Sequence, residues 1–320
     1  MNTSPRIAVV GAGAIGGYFA GVLARAGYWV GLVARGRSLQ AIARDGLHIE
    51  SPRGNFVVTP AQVTDDANEI GAVDAVILGV KAWQVSETAQ GMRPLLGATT
   101  KVLPLQNGVE APAQLERVIG HEHTLVGLCR IITSVTAPGR VRDGGLEPSI
   151  ALGEIDGSPL SPTAIALAQA LREAGAVVQA PKDIHCALWE KLLFIAAVSG
   201  TGAVARSNIG EIRETPQTSG LLKQLMEETA AVAHARGIRM APDVVSRTLS
   251  FVQTIPASGT ASMQRDIAEG KPSELEAIIG AVARFGDASG IATPAMDFVY
   301  ASLLPQERRA RIRQGITENS

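Results

Sequence analysis

In the first half of the chain, short apolar, β-branched runs alternate with longer stretches of helical periodicity. Ile7–Val10, Trp29–Val33, Ala75–Gly79 and Lys101–Leu105 are mainly apolar and bounded by Gly, Pro or polar residues. A run without polar alternation fits a strand buried on both faces, so these four predict a parallel, doubly wound α/β sheet with helices between the strands. Leu47–Glu50 and Asn55–Thr59, separated by Ser51-Pro52-Arg53-Gly54, predict a hairpin insertion. Further strands are expected at Thr124–Arg130, Gly139–Arg142, Ser149–Leu152 and Val177–Ala180.

Past about Pro181 the strand-like runs stop. Helical periodicity takes over through Ile184–Val198, Gln217–Arg236, Pro242–Gln253, Ser273–Ser289 and Thr293–Arg313. The break predicts an α/β domain over residues 1–181 and an all-helical domain over residues 182–320. Ser273-Glu274-Leu275-Glu276, after Pro272, reads as a capping box.

Composition narrows the function classes. A chain of 320 residues fits two domains, and 46% hydrophobic residues argue against disorder. With 29 Lys and Arg against 30 Asp and Glu, the net charge of −1 gives no pull towards nucleic acid or an anionic membrane. Two cysteines, Cys129 and Cys186, exclude a disulfide scaffold and point to a reducing, cytoplasmic setting. The apolar run Leu192–Val198 falls short of the ~20 residues a membrane span needs. The histidines match neither HExxH nor a Cys/His ligand spacing, so no metal is expected.

Glycine is the informative excess, with 34 residues. Gly11-Ala12-Gly13-Ala14-Ile15-Gly16 directly follows the strand Ile7–Val10 and opens a helix expected over Ala14–Ala26. In this Rossmann-type strand–turn–helix context each glycine has a mechanical use: a tight turn, close approach of a pyrophosphate, and close helix–strand packing. The helix N-terminus then offers N–H groups to phosphate. An NAD site would place Asp or Glu about twenty residues on. Here the second strand ends Val33-Ala34-Arg35-Gly36-Arg37, with Arg35 nineteen positions beyond Gly16. A guanidinium can fork onto a 2′-phosphate, so the cofactor expected is NADP(H). Arg37 taken alone suits a solvated loop.

Ligand groups in open α/β sheets come from the carboxyl ends of strands. Lys81 follows one such end and Gln106-Asn107-Gly108 another. Asn-Gly also favours a plain β-turn, and Lys81 also suits a surface position. Lys191 has Ala187 and Leu188 one turn before it, and Phe194 and Ile195 one turn after. That pattern fits both a stem lying on the core with its ammonium in water and a partly desolvated proton donor.

The Gly11–Gly17 loop, Val80-Lys81-Ala82-Trp83-Gln84-Val85, Gln106-Asn107-Gly108, Leu188-Trp189-Glu190-Lys191-Leu192, and Ala261-Ser262-Met263 with Glu274 together resemble the ketopantoate reductase (2-dehydropantoate 2-reductase) family. The resemblance runs in order through nearly the whole chain. It implies that Lys191 is the proton donor to the substrate's 2-oxo oxygen and that Asn107 orients the carbonyl beside the nicotinamide. It implies cofactor contacts at the Gly11–Gly16 loop, Arg35, Lys81 and Glu274, and a substrate-carboxylate contact at Ser262. The implied reaction is hydride transfer from NADPH to a small 2-oxo acid, with 2-dehydropantoate the first candidate and pantothenate biosynthesis the implied pathway.

The chain departs from the family at two substrate positions. Where the family commonly has asparagines one and two turns after the lysine, this chain has Ile195 and Ser199. Asn208 stands one position out of register with a further family asparagine. A more apolar 2-oxo acid is therefore the alternative substrate. An NADP-binding sensor without catalysis is the alternative of another class, disfavoured by the joint presence of Lys191, Asn107, Ser262 and Glu274. Neither nucleic acid nor membrane is expected as a partner, and a homodimer is left open.

Overall fold

In the computed structural model, which describes residues 4–316, the chain divides into two compact units. The first contains the residues up to Gln106 together with Ala111–Ile184; the second contains Asn107–Glu110 and the chain from His185 on. The expected boundary at 181/182 lies three residues ahead of the observed change, and Asn107–Glu110 groups with the helical unit. Residues 1–3 and 317–320, at the outer ends of the two expected domains, lie outside the described residues.

The strands of the first unit are β1 (Ile7–Val10), β2 (Val30–Val33), β3 (Leu47–Glu50), β4 (Phe56–Val58), β5 (Gln62–Thr64), β6 (Val73–Leu78), β7 (Leu96–Pro104), β8 (Leu125–Arg130), β9 (Thr133–Ala137), β10 (Arg140–Asp143), β11 (Ser149–Glu154) and β12 (Val177–Gln179). Its helices are α1 (Ala14–Arg25), α2 (Gly36–Asp45), α3 (Ala67–Ile70), α4 (Val85–Gly91), α5 (Ala111–Ile119) and α6 (Pro162–Glu173).

The order β5-β2-β1-β6-β7 makes an all-parallel sheet with β1 at its centre, Ile7 pairing with Val30 on one side and Ala75 on the other. These strands are apolar on both faces because helices cover both. Ile7, Val9, Leu32, Ile77 and Leu103 pack with Phe19 and Leu23 of α1. Ala8, Val76, Leu78 and Val102 pack with Val85 and Ala89 of α4 and Leu115 of α5. Each large side chain so buried contributes roughly 1.5–3 kcal/mol. A parallel bridge between Val102 and Thr124 leads from β7 towards a second sheet, β12-β11-β8.

The expected hairpin forms as β3 and β4 and extends into a four-stranded sheet, β4-β3-β10-β9. It seats against α1, where a Cβ on Gly17 would lie 2.9 Å from Val141 Cγ2 and one on Gly21 2.8 Å from Ile49 Cγ1. Two strands lack a sequence signal. β5 is a three-residue edge strand, and β9 is mostly exposed with no apolar alternation.

The second unit is helical: α7 (Ile184–Ala205), α8 (Ile209–Glu214), α9 (Pro216–Ala235), α10 (Val244–Thr254), α11 (Ser262–Ala268), a π turn (Glu276–Gly280), α12 (Ala281–Ser289) and α13 (Pro294–Arg313). α7 is its core helix: Trp189, Leu192, Leu193, Ala196 and Ala197 pack among Leu225 and Met226 of α9, Ile278 and Ile279 of the π turn, and Val299 of α13. At 22 residues, α7 is longer than the apolar run read from sequence, and by length and composition it could cross a membrane. Some 72% of its apolar window is buried inside the protein, as a core helix requires.

Two buried carboxylates fasten this unit. Glu228 accepts from Ala295 N and Met296 N, both at 2.9 Å, and so caps the N-terminus of α13. Glu307 accepts from Ser273 Oγ at 2.6 Å and from Arg311 Nε at 2.7 Å. The capping box expected over Ser273–Glu276 forms only by half: Ser273 Oγ accepts from Leu275 N at 3.3 Å, but Ser273 N donates to Glu307 and Glu276 opens the π turn.

Candidate active site

The nucleotide end of the first unit is built where β1 and β6 finish. Gly11 sits at φ +102, a left-handed conformation that favours glycine, and a Cβ there would lie 2.9 Å from Val80 Cγ1. Gly11 N donates to Val33 O at 2.9 Å, and Gly79 N donates to Val10 O at 2.8 Å. A Cβ on Gly16 would run into Gly11 O, and one on Gly79 would lie 2.6 Å from Gly16 Cα. Gly13 differs from these. A Cβ there meets, among the described residues, only Gly79 O at 3.6 Å, an ordinary contact. The protein's own packing does not demand glycine at 13, whereas close approach of a pyrophosphate to the backbone does. Gly13 also begins α1 without a side-chain cap, leaving helix N–H groups to a ligand. Ala12, Ala14 and Ile15 complete the half-exposed rim. The loop fits a dinucleotide.

An open depression of about 380 Å³ at the start of α2 is lined by Arg35, Arg37 and Ser38 and by Val135–Pro138, the end of β9 and the turn after it. Arg35 is the residue before the first turn of α2, 3.8 Å from Glu87 in a pair with both side chains more than 70% exposed, too solvated to hold it fast. Sequence reasoning set Arg37 aside and missed Ser38 and Val135–Pro138. No local signal marks the last four, which the four-stranded sheet brings round.

Lys81 is exposed at the start of a 3₁₀ turn, Ala82–Gln84, its Nζ 5.7 Å from the centre of the Trp83 ring. Gln106 carries a role the sequence did not reveal. Its Nε2 donates to Leu78 O at 2.9 Å and Val80 O at 3.0 Å, tying the end of β7 to the end of β6. Those two carbonyls fix which way the amide faces, and Oε1 is buried with no hydrogen-bond partner among the described residues.

The second unit holds the other expected residues. Asn107 Nδ2 donates to the buried Glu274 carboxylate at 2.9 Å. Gly108, at φ +96, seats over the π turn, where a Cβ would lie 2.6 Å from Ala277 O. Lys191 is only 7% exposed on α7, and a lysine so buried is rare unless its charge is met. Ile195 and Ser199 follow on the same helix face at one and two turns. Ile195 is half-buried against the apolar core, while Ser199 is 2% exposed. Further along this face a Cβ on Gly202 would lie 2.5 Å from Gln264 Oε1. Gln264 thus docks α11 on α7 and places Ser262, exposed in the first turn of α11. Asn208 is used otherwise: its Oδ1 accepts from Glu211 N at 3.0 Å and its N donates to Glu211 Oε2 at 2.9 Å, a reciprocal cap of α8.

A parallel sheet with such a glycine turn, joined in one chain to a helical unit with a buried lysine, is the build of an oxidoreductase that uses a nicotinamide cofactor. Comparison with known proteins narrows the class. The family described as "Ketopantoate reductase PanE/ApbA" matches residues 7–157, and its C-terminal counterpart matches residues 183–307. A 2-dehydropantoate 2-reductase of Mesorhizobium japonicum is 30% identical, covering 97% of this chain and 99% of the relative. The crystal structure of a PanE/ApbA family ketopantoate reductase from Ralstonia eutropha is 30% identical with a TM-score of 0.86, covering 96% of this chain and 99% of that one. A D-mandelate dehydrogenase solved with NADH and anilino(oxo)acetate is 26% identical, also with a TM-score of 0.86, over 96% of this chain and 99% of the other. The chain belongs to the ketopantoate reductase family. It is an oxidoreductase acting on a CH–OH group of a small molecule.

Proposed function

We propose that this protein reduces a 2-oxo acid to the 2-hydroxy acid with NADPH, and that 2-dehydropantoate is its substrate. The observation that carries the reading is Lys191, buried on α7, in the same unit as an Asn107 amide oriented by Glu274. When bound, NADPH supplies the hydride to the carbonyl carbon. Lys191 gives the proton from Nζ to the oxygen that becomes negative as the hydride arrives, and the ammonium stabilises that charge beforehand. With one Nδ2 hydrogen on Glu274, Asn107 keeps a second to orient the carbonyl. Ser262 contributes its hydroxyl to the substrate carboxylate. The Gly11–Gly16 loop holds the pyrophosphate and Lys81 adds a cation at the cofactor. Arg35, Arg37 and Ser38 meet the 2′-phosphate at the start of α2, the end of a helix that favours an anion. A cytoplasmic setting, where NADPH is kept reduced, and a place in pantothenate biosynthesis go with this reading.

Ile195 favours a second substrate class. An isoleucine one turn from Lys191 offers no hydrogen bond to a substrate hydroxyl, and the likeness to a dehydrogenase that takes a mandelate-type acid suits an apolar 2-oxo acid. One assay tests both readings: NADPH and NADH oxidation, followed by absorbance, with 2-dehydropantoate, benzoylformate and branched 2-oxo acids. NADPH with 2-dehydropantoate should give the highest kcat/KM, and Lys191→Ala should lower kcat by about 10²–10⁴-fold with NADPH still bound. A higher kcat/KM for the apolar acids selects the second class. NADPH binding without turnover of any acid leaves the sensor.

A further inference from the structure

Residues 107–110 are flanked on both sides by the first unit, yet they belong to the second. Four attachments account for this. Asn107 bonds to Glu274 at 2.9 Å, Gly108 seats over Ala277 O, Val109 packs against the helical core, and Glu110 pairs with Arg284 NH2 at 2.9 Å. Three of the four lead to one short stretch of chain, from Glu274 through the π turn to the first turn of α12, and Val109 adds apolar contact with the core of the same unit.

Arg284 does more than meet Glu110. Its other terminal nitrogen, NH1, pairs with Glu276 Oε1, and Glu276 Oε2 in turn accepts from Tyr300 Oη at 2.6 Å. The guanidinium thus forks between two carboxylates, one on the segment carrying Asn107 and one in the π turn, a geometry that an ammonium does not reproduce. Gly280 makes room for it, since a Cβ there would lie 3.0 Å from Glu276 Oε1 and 3.1 Å from Arg284 NH1. Arg284, Glu276 and Glu110 remain 44%, 49% and 28% exposed, and pairs so exposed add little to stability. What the fork does set is where the segment lies. A π turn widens the helix by one residue and recurs at functional sites, and here it presents Ala277 O to Gly108.

We propose that Arg284 is a positioning residue for the reduction: by joining Glu110 to Glu276 it fixes residues 107–110 on the π turn and thereby sets the Asn107 amide. The proposal rests on the reductase reading, in which Asn107 touches the substrate carbonyl. Its test has two arms. In the cofactor-free protein, Arg284→Ala should shift the backbone amide NMR resonances of residues 107–110 and lower their order parameters, while α7 keeps its wild-type resonances. In turnover, Arg284→Ala should lower kcat about tenfold with KM for NADPH within twofold of wild type, and Arg284→Lys should recover only part of the loss. Wild-type kcat in Arg284→Ala, unchanged resonances at 107–110, or resonances displaced equally in α7, overturns the proposal. If the wild-type protein oxidises NADPH with no 2-oxo acid, the reductase reading falls and takes the catalytic role with it; the NMR arm still decides whether Arg284 holds the segment.

Discussion

Asn107 and Glu274, 167 positions apart in the chain, meet in a 2.9 Å hydrogen bond in which the amide donates and the buried carboxylate accepts. The amide is thus held by a group that cannot itself donate while ionised. Glu274→Ala should lower kcat about 10–100-fold by releasing Asn107, as expected when positioning at a reacting centre is lost. Glu274→Gln keeps an oxygen acceptor in place and should lose less. Steady-state kinetics on the two variants separates orientation from charge.

Arg35 and Arg37 line one depression, so the 2′-phosphate should feel both. Arg37→Ala should raise KM for NADPH about tenfold, in line with the loss of one charge-assisted hydrogen bond. It should leave KM for NADH unchanged. The ratio of the two constants is the measurement, and an equal rise in both would remove Arg37 from the 2′-phosphate site.

The glycine loop divides into fold and ligand. Gly11→Ala strains a φ of +102 and should destabilise the protein by about 1–3 kcal/mol in chemical denaturation. Gly13→Ala meets only the 3.6 Å contact with Gly79 O and should leave stability within about 1 kcal/mol, while weakening NADPH binding at least tenfold in a fluorescence titration.

Glu154 predicts a pH dependence of stability. Burial pushes its carboxyl up, but the Lys101 ammonium at 2.8 Å and the Ser161 N–H at 2.9 Å outweigh burial and hold it below the usual range. A depressed folded-state value contributes stability above the unfolded value, and that contribution is lost as pH falls through the folded one. The melting temperature should therefore drop on acidification below the ordinary carboxylate range, and Glu154→Gln should flatten that part of the profile.

The sheet was legible where burial on both faces removes polar alternation: β1, β2 and β6 stand close to the apolar runs that predict them, while β7 begins five residues ahead of its run, in a partly exposed stretch. β5 and β9 were not, since a short edge strand and a mostly exposed one leave no hydrophobic period to read. Within the candidate site, the glycine loop carried a local signal, while the apolar neighbours of Lys191 fitted a buried lysine and a snorkelling one equally. The membership of Asn107 in the helical unit did not, because it depends on Glu274, Ala277 and Arg284, whose approach no spacing encodes. Gln106 shows the same limit: its donor side is spent on two carbonyls that only the folded sheet brings near.

The chain passes between its two units at Gln106/Asn107, Glu110/Ala111 and Ile184/His185. A fragment beginning at His185 would therefore be an incomplete module. It would remove the Asn107 hydrogen bond from Glu274, empty the seat of Gly108 on the π turn and take Glu110 from Arg284. Shuffling the helical half onto another nucleotide-binding half would have to carry four residues from the middle of the first along with it.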